Sequence, residues 1–396
     1  MSRADAAASA RRELTGLLSE PVAECRHRES TTFDELSGYL RGAPLVLLGA
    51  GGLGRLITKL ARQNGDEVVA FCDNAQRLWD SEVEGVPVMS PADAADLYGD
   101  DAIFIVTIWA AFVPGTMSDR VAQLMGLNCR CVLPFQYYLW KHPESLPYFN
   151  VDLPSRVLQQ RDDVAACMEL WSDEDSAIEY LAQVRARLTA CFEDIAPADS
   201  NGQYYPSDLL RFTDDEVFVD VGAFDGDSLE SFIGAAAGRF RRAIAYEPDP
   251  NNFAKLRERT SLNAWRSRLD LRQQAVTDVP GVVSFLTGQE MSSRMGRGGV
   301  EVPAVTIDSL LDEGIVPTFM KFDVEGFETQ AIGGAARTIA DHQPALAVCV
   351  YHKQDHLWML PLAVHRMNPS YRFHLRPYGF IWEEVCYAIP PHRRIA

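Results

Sequence analysis

Short apolar runs alternate along the chain with glycine turns and with stretches of helical spacing. Leu45-Val46-Leu47-Leu48 has no polar position, the pattern of a strand covered on both faces. It runs into Gly49-Ala50-Gly51-Gly52-Leu53-Gly54, and helical spacing follows over 55–63. Further strands are expected over 67–71, 86–89, 103–108 and 129–133. A second series starts near Gln203, with strands expected over 217–221, 243–246, 270–276, 319–322, 345–351, 371–375 and 385–389. Helices fit between the first five of these, and the last two read as a hairpin. Such alternation predicts the α/β class: two doubly wound parallel-sheet domains, the C-terminal one seven-stranded.

The segments between the series differ in character. Residues 1–42 read as a polar, nearly neutral helical lead-in to a first domain over 43–150. Residues 151–216 hold 15 acidic and 5 basic side chains, a solvated face. Within them, 151–202 reads as a helical connector, with Ser155 and Ser172 as N-caps and Asp175 completing a capping box. Ile178, Leu181, Val184, Leu188 and Phe192 make one helical stripe. The second domain then spans 203–396.

Composition narrows the function. The chain has 396 residues, 47% of them hydrophobic, enough for two full cores. Its net charge of −18 repels phosphate backbones and anionic lipids, so neither nucleic acid nor membrane is an expected partner. The uncharged run 102–118 is broken by Pro114-Gly115 and too short to span a bilayer. The N-terminus lacks the apolar core of a signal peptide. The 8 cysteines include no C-x-x-C pair, so buried free thiols and a cytoplasmic location are expected.

The first glycine turn has the spacing Gly49-x-Gly51-x-x-Gly54, and Asp73 ends the next strand 19 residues after Gly54. That is the fingerprint of a dinucleotide site. Packing without a ligand, NAD and a nucleotide-sugar all remain open for it. No proton donor for hydride chemistry is identifiable downstream in this domain.

The second turn is Asp220-Val221-Gly222-Ala223-Phe224-Asp225-Gly226-Asp227, with spacing G-x-x-x-G. Glu247 ends the next strand 21 residues after Gly226, where an acid can grip two ribose hydroxyls. Gln274-Ala275 follows at the third strand, where an adenine edge could be met. An Asp beside a glycine turn favours a cationic ligand, and S-adenosylmethionine fits: sulfonium and ammonium near Asp220, ribose on Glu247, adenine beyond. Ala223 and Asp227 complete the expected cofactor set. The fourth strand ends in Lys321-Phe322-Asp323-Val324-Glu325-Gly326-Phe327-Glu328. Continued alternation would put Lys321, Asp323 and Glu325 on one side. His352, ending the fifth strand, would lie beside Asp323.

The pieces Val219 to Asp227, Tyr246-Glu247-Pro248, Thr306-Ile307-Asp308, Lys321 to Glu328 and Tyr351-His352-Lys353 together resemble the FkbM family of S-adenosylmethionine-dependent methyltransferases. The resemblance covers about half the chain. It implies a Rossmann-like methyltransferase fold and methyl transfer to oxygen on a small molecule: a sugar or natural-product hydroxyl, or a carboxylic acid. The first domain is similar to the Rossmann-like domain of some sugar-modifying proteins. On this reading His352, Asp323, Glu325 and Lys321 are catalytic, with His352 the base for an alcohol, and no metal is expected. The loops 289–299 and 361–369 would shape the acceptor pocket. A homodimer is left open. The competing functions are an NAD-linked oxidoreductase and a nucleotide-sugar-binding module, both using the first domain.

Overall fold

The all-apolar run Leu45–Leu48 forms β1, and each of its four residues is buried. The computed structural model describes residues 3–110, 113, 115–195, 199–262, 264–286, 294–295 and 300–394. The chain divides into two units. Unit 1 holds 1–164, 178–198 and 379–382, and unit 2 holds 165–177, 199–378 and 383–396. Among the described residues, no helix is long and apolar enough to cross a membrane.

In unit 1, β1 is joined by β2 (Val68–Cys72), β3 (Ser81–Val83), β4 (Val86–Met89), β5 (Ile103–Val106) and β6 (Val132–Pro134) in the order β3-β4-β2-β1-β5-β6. Every pairing is parallel except the β3–β4 hairpin. The hairpin's first strand was not expected; its burial pattern is open and carries no apolar run. Local signals fix the helix ends. The Ser90 hydroxyl accepts from the Asp93 N–H, with Pro91 at the first helical position. Thr116 and Asp119 form a reciprocal capping box. Gly65 closes the helix Gly52–Asn64 in the left-handed conformation at φ 81°.

Unit 2 is built on β7 (Val217–Val221), β8 (Arg242–Tyr246), β9 (Leu269–Arg272), β10 (Ala275–Val276), β11 (Gly281–Leu286), β12 (Arg294–Met295), β13 (Val300–Val305), β14 (Phe319–Phe322), β15 (Ala345–Cys349), β16 (Arg372–Pro377) and β17 (Glu384–Ile389). The main sheet has seven strands in the order β16-β17-β15-β14-β7-β8-β9. Only β17 runs antiparallel to its neighbours. The chain leaves β7 toward β8 and β9, then returns to β14 on the other side. The switch point therefore lies between β7 and β14, where open α/β sheets bind ligands at the carboxyl ends of strands.

Three expectations need correction here. The strand read over 270–276 is two strands: the Gln274 N–H donates to the Arg272 carbonyl, the chain bends, and Ala275–Val276 pairs with β13 in a separate four-stranded sheet. The segment 361–369 is not a loop, because Pro361 lies inside the helix His356–Met367. Proline removes the N–H that would bond the carbonyl of Leu357, and the Cys167 thiol donates to that carbonyl instead, at 3.8 Å. The helix Glu174–Thr189 is capped by Asp173, which accepts from the Ser176 N–H, and not by Ser172, whose hydroxyl accepts from the Phe373 N–H. The loop 289–299 lies outside the described residues apart from Arg294 and Met295. The acidic stretch 151–202 forms the helices Pro154–Gln159, Arg161–Met168 and Glu174–Thr189, divided between the two units.

Candidate active site

The turn after β7 passes against the end of β14. Gly222 has φ 85°, and a Cβ there would lie 1.7 Å from the Asp323 carbonyl oxygen, so only glycine fits. Gly226, at φ 93°, leads into the helix Asp227–Ala235, and a Cβ there would meet a Leu256 methyl at 2.8 Å. The amides of this turn are spent locally. Gly222 and the buried Ala223 both donate to the Tyr246 carbonyl, and Phe224 donates to Glu247 Oε2 at 2.9 Å. The turn is strapped to the end of β8 rather than left with open N–H groups. Asp227 is exposed, and its carboxylate accepts from the Ser228 N–H.

Asp220 is fully buried beneath the turn. It accepts from Ser228 Oγ at 2.6 Å and from Lys321 Nζ at 3.0 Å. Lys321 also donates to the Gly222 carbonyl at 2.7 Å. Burial works against the Lys321 ammonium, but Asp220 and Asp323 outweigh it and raise its pKa. Asp220, expected to face a cationic ligand, and Lys321, expected to act in the chemistry, here face each other. Each neutralises the other, and the pair props the glycine turn from below.

Glu247 directly follows β8 and has only 6% exposure. Its second oxygen accepts from the Asp249 N–H at 2.8 Å. Burial pushes its carboxyl up to about 7, against the two backbone N–H groups that favour the charge. Each oxygen retains a lone pair for a further donor. Gln274, half-buried, sits at the bend after β9, and Ala275 is buried at the start of β10.

Beyond Phe322 the extended geometry stops. Glu325 has φ 52° and Gly326 φ 96°, so strand alternation does not place Glu325. The bend nevertheless brings it to His352: His352 Nε2 lies 3.5 Å from Asp323 and 3.8 Å from Glu325. Several neighbours were not singled out from the sequence. Fully buried Glu328 approaches His352 Nδ1 at 2.8 Å and His356 Nδ1 at 3.0 Å. Tyr204 donates its hydroxyl to Asp323 Oδ2 at 2.8 Å. Glu383 takes hydrogen bonds from Gln203 and Tyr351. Glu328 was visible as the last residue of the fourth-strand motif, but nothing near Tyr204 or Glu383 in the sequence points to their partners.

Charge states follow from this crowding. Burial works against the His352 imidazolium, but Glu328, Asp323 and Glu325 outweigh it and push the pKa up to about 10. That shift favours the imidazolium and works against the expected role of His352 as base. Burial pushes Glu325 up to about 7, against the pull of His352 and helped by Asp323 and Glu328. Its side chain is 40% exposed, against 21% for Asp323 and 3% for His352. Ligand atoms of Asp323, Glu328 and His352 also lie within 4.8 Å of one another, a composition that a divalent cation can use. Here Glu328 faces one ring nitrogen and Asp323 the other, an ion-pair arrangement.

The glycine turn of unit 1 is also packed at two of its glycines. A Cβ on Gly54 would lie 2.2 Å from the Gly49 carbonyl and 2.9 Å from the Phe71 ring. Gly49 has φ 113°. Asp73 accepts from the Ala50 N–H at 3.0 Å and the Ala75 N–H at 2.8 Å, tying its carboxylate to the turn. Gly51 and Gly52 alone are open, with nothing within 4 Å of a built Cβ.

A seven-stranded sheet of this order, with a glycine turn after its central strand and a buried acid after the next, is a Rossmann-like methyltransferase fold. Residues 220–379 match the methyltransferase FkbM domain family. The C-terminal half therefore carries an FkbM-family S-adenosylmethionine-dependent methyltransferase domain, and the protein is an enzyme. Residues 44–109 match the PglD N-terminal domain family. The fold resembles the crystal structure of methyltransferase FkbM from Methylobacillus flagellatus KT, with 24% identity over 98% of this chain and 99% of that one and a TM-score of 0.76. A Rex-family repressor (19% identity, 26% of this chain, 49% of that one, TM-score 0.21) matches only a part. So does an rRNA methylase from Streptococcus thermophilus (12%, 46% and 90%, TM-score 0.29). No argument rests on these last two. Among curated proteins, none matches the chain significantly.

Proposed function

We propose that residues 203–396 form an O-methyltransferase domain that methylates a hydroxyl of a small molecule, a sugar or a natural product, with Glu325 as the base. The observation that carries this reading is the carboxylate cluster around a fixed cation. Asp323 and Glu325 lie 3.5 and 3.8 Å from His352 Nε2, Glu383 interacts electrostatically with Asp323 and His352, and the carboxylates around the ring favour its imidazolium. A carboxylate acceptor would add a like charge beside them. One such contact at 4 Å costs about 4 kcal/mol at an effective dielectric of 20, less where solvent screens it. A neutral hydroxyl meets no such penalty, and it needs a base, which the cluster supplies.

The residues at the switch point fit S-adenosylmethionine. Glu247 is held by two backbone N–H groups at the end of β8, poised for the paired hydroxyls of a ribose. Phe224, left-handed and 45% exposed, offers an apolar face beside it. Gly222, Ala223 and Gly226 shape the turn, Asp220 and Lys321 support it, and Gln274-Ala275 borders the adenine end. When bound, the cofactor supplies an electrophilic methyl group on a sulfonium. The chain's own work is to hold the acceptor oxygen in line with that methyl and to take the hydroxyl proton. Glu325 accepts the proton on its carboxylate. Tyr204 fixes Asp323 by its hydrogen bond, so the second carboxylate keeps one orientation.

The net charge of −18 supports a small-molecule acceptor over nucleic acid. The test is mass spectrometry of the products after incubation with S-adenosylmethionine and a panel of sugar hydroxyls, natural-product hydroxyls and carboxylic acids. Methyl ethers from hydroxyl acceptors, formed equally with chelator present, support the reading. Methyl esters would overturn the acceptor class, and loss of activity with chelator restored by a divalent ion would make the cluster a metal site.

A further inference from the structure

Glu328 is the first residue of the helix Glu328–Gly333 and is fully buried. An isolated carboxylate in such a place is strongly disfavoured. Backbone hydrogen bonds reach one of its oxygens, and each oxygen has a histidine ring at ion-pair distance. Oε1 accepts from the backbone N–H of Val324 at 2.9 Å and of Gly326 at 3.3 Å, and the same oxygen lies 2.8 Å from His352 Nδ1. Oε2 lies 3.0 Å from His356 Nδ1. One side chain thus ties together the bend that carries Asp323 and Glu325, the histidine that follows β15, and the first turn of the helix His356–Met367.

We propose that Glu328 is the positioning residue of the methyl-transfer site, fixing the left-handed path of Glu325 and orienting His352 so that its Nε2–H faces Asp323 and Glu325. The bend needs such a clamp. Glu325 at φ 52° is a conformation that side-chain-bearing residues adopt at a cost of order 1–3 kcal/mol. The two amides flanking it, Val324 N–H and Gly326 N–H, both end on Glu328. The ring needs it as well. With the Glu328 carboxylate 2.8 Å from Nδ1, the opposite ring nitrogen is the one turned to Asp323 and Glu325. The charged groups around the ring come from three further elements: Asp323 and Glu325 after β14, Glu383 at the start of β17, and His356 behind Glu328. Burial works against ionisation of Glu328, but His352 and His356 outweigh it and hold its pKa well below the usual carboxylate range.

The inference rests on Glu325 as base, so its test includes a readout that needs no methyl transfer. Glu328→Gln keeps the volume and an oxygen for the two backbone N–H groups but removes the charge facing both histidines. The variant is expected to bind S-adenosylmethionine with affinity within about twofold of the parent by calorimetry, and to lose about 10²-fold in kcat with little change in acceptor KM, as a misplaced reacting group does. Ring nitrogen NMR should show His352 losing its imidazolium signature at pH 7. Parent-like kcat, or an unchanged imidazolium in the folded variant, overturns the proposal. If only the base assignment is wrong, the NMR change persists while the kcat effect shrinks. If the variant does not fold, the parent decides: His352 should stay protonated well above pH 8, and titration near its ordinary value of about 6.5 would overturn the proposal.

Discussion

The molecule carries two glycine turns, each after a buried central strand and each followed by an acid at the end of the next strand, and they are built for different ends. In unit 1 the acid, Asp73, holds the turn through the Ala50 N–H and its own loop through the Ala75 N–H, and Gly54 is sealed against the Gly49 carbonyl and Phe71. Only Gly51 and Gly52 stay open. In unit 2 the turn is equally tied down, through Tyr246 and Glu247, yet the neighbouring strand ends deliver Asp323, Glu325, Glu328, His352 and Glu383 beside it. The glycines alone do not tell a reactive site from a packed turn. What separates them is the chemistry at the ends of the next strands across the switch point. Unit 2 gathers carboxylates around a buried cation there, whereas the strand ends of unit 1 bring Thr107 and Cys72 to its turn.

The largest expected effect breaks the reactive side of this comparison. Glu325→Gln should lower kcat on a hydroxyl acceptor by roughly 10²–10⁴, the usual worth of a positioned base, with little change in cofactor affinity. The pH profile should agree. Because Glu325 is raised to about 7, the working carboxylate is present above that value and lost as pH falls through it, so parent activity should decline on the acid side near pH 7. A flat profile from pH 5 to 8 would remove Glu325 from the role.

Next in size is the cofactor grip. Glu247→Ala removes two hydrogen bonds to a charged acceptor and should weaken S-adenosylmethionine binding by about 2–3 kcal/mol, read by calorimetry. Unchanged affinity would leave Glu247 as a brace for the Phe224 and Asp249 amides only.

Smaller effects test unit 1. Gly54→Ala forces a methyl group into the Gly49 carbonyl and should destabilise the chain by about 1–3 kcal/mol in denaturant unfolding. Gly51→Ala meets open space and should change stability by no more than about 1 kcal/mol. A Gly51→Ala loss as large as that of Gly54→Ala would mean that the open part of the turn is not open. Added NAD with alcohols or sugars should give no hydride transfer by absorbance, and a Gly51-dependent signal would revive the oxidoreductase reading.

Much of the fold is legible in local patterns. The run at β1 is apolar throughout, and those at β7 and β14 are interrupted only by Asp220 and Lys321, which pair with each other; central parallel strands demand such near-continuous apolar runs. The strand pair β11–β13 escaped notice because buried Val302 and Ala304 are mixed with exposed Val282 and Val300, so its apolar positions do not mark out a buried face. For the site, the meeting of Asp323 with His352 follows from two adjacent strands ending together. The charge state of His352 does not follow, because it depends on Glu328, brought close only by the bend at Glu325 and Gly326. Tyr204 and Glu383 reach the cluster from 119 and 60 positions away from Asp323 in sequence, beyond any local signal.

The most direct test compares parent and Glu325→Gln across the product panel under single-turnover conditions, with cofactor saturating. The account predicts methyl ether formation on a hydroxyl acceptor by the parent, slowed by about 10²-fold or more in the variant at pH 7.5, with cofactor affinity retained. Methyl ester formation on carboxylic acids, equally fast in parent and variant, would contradict it.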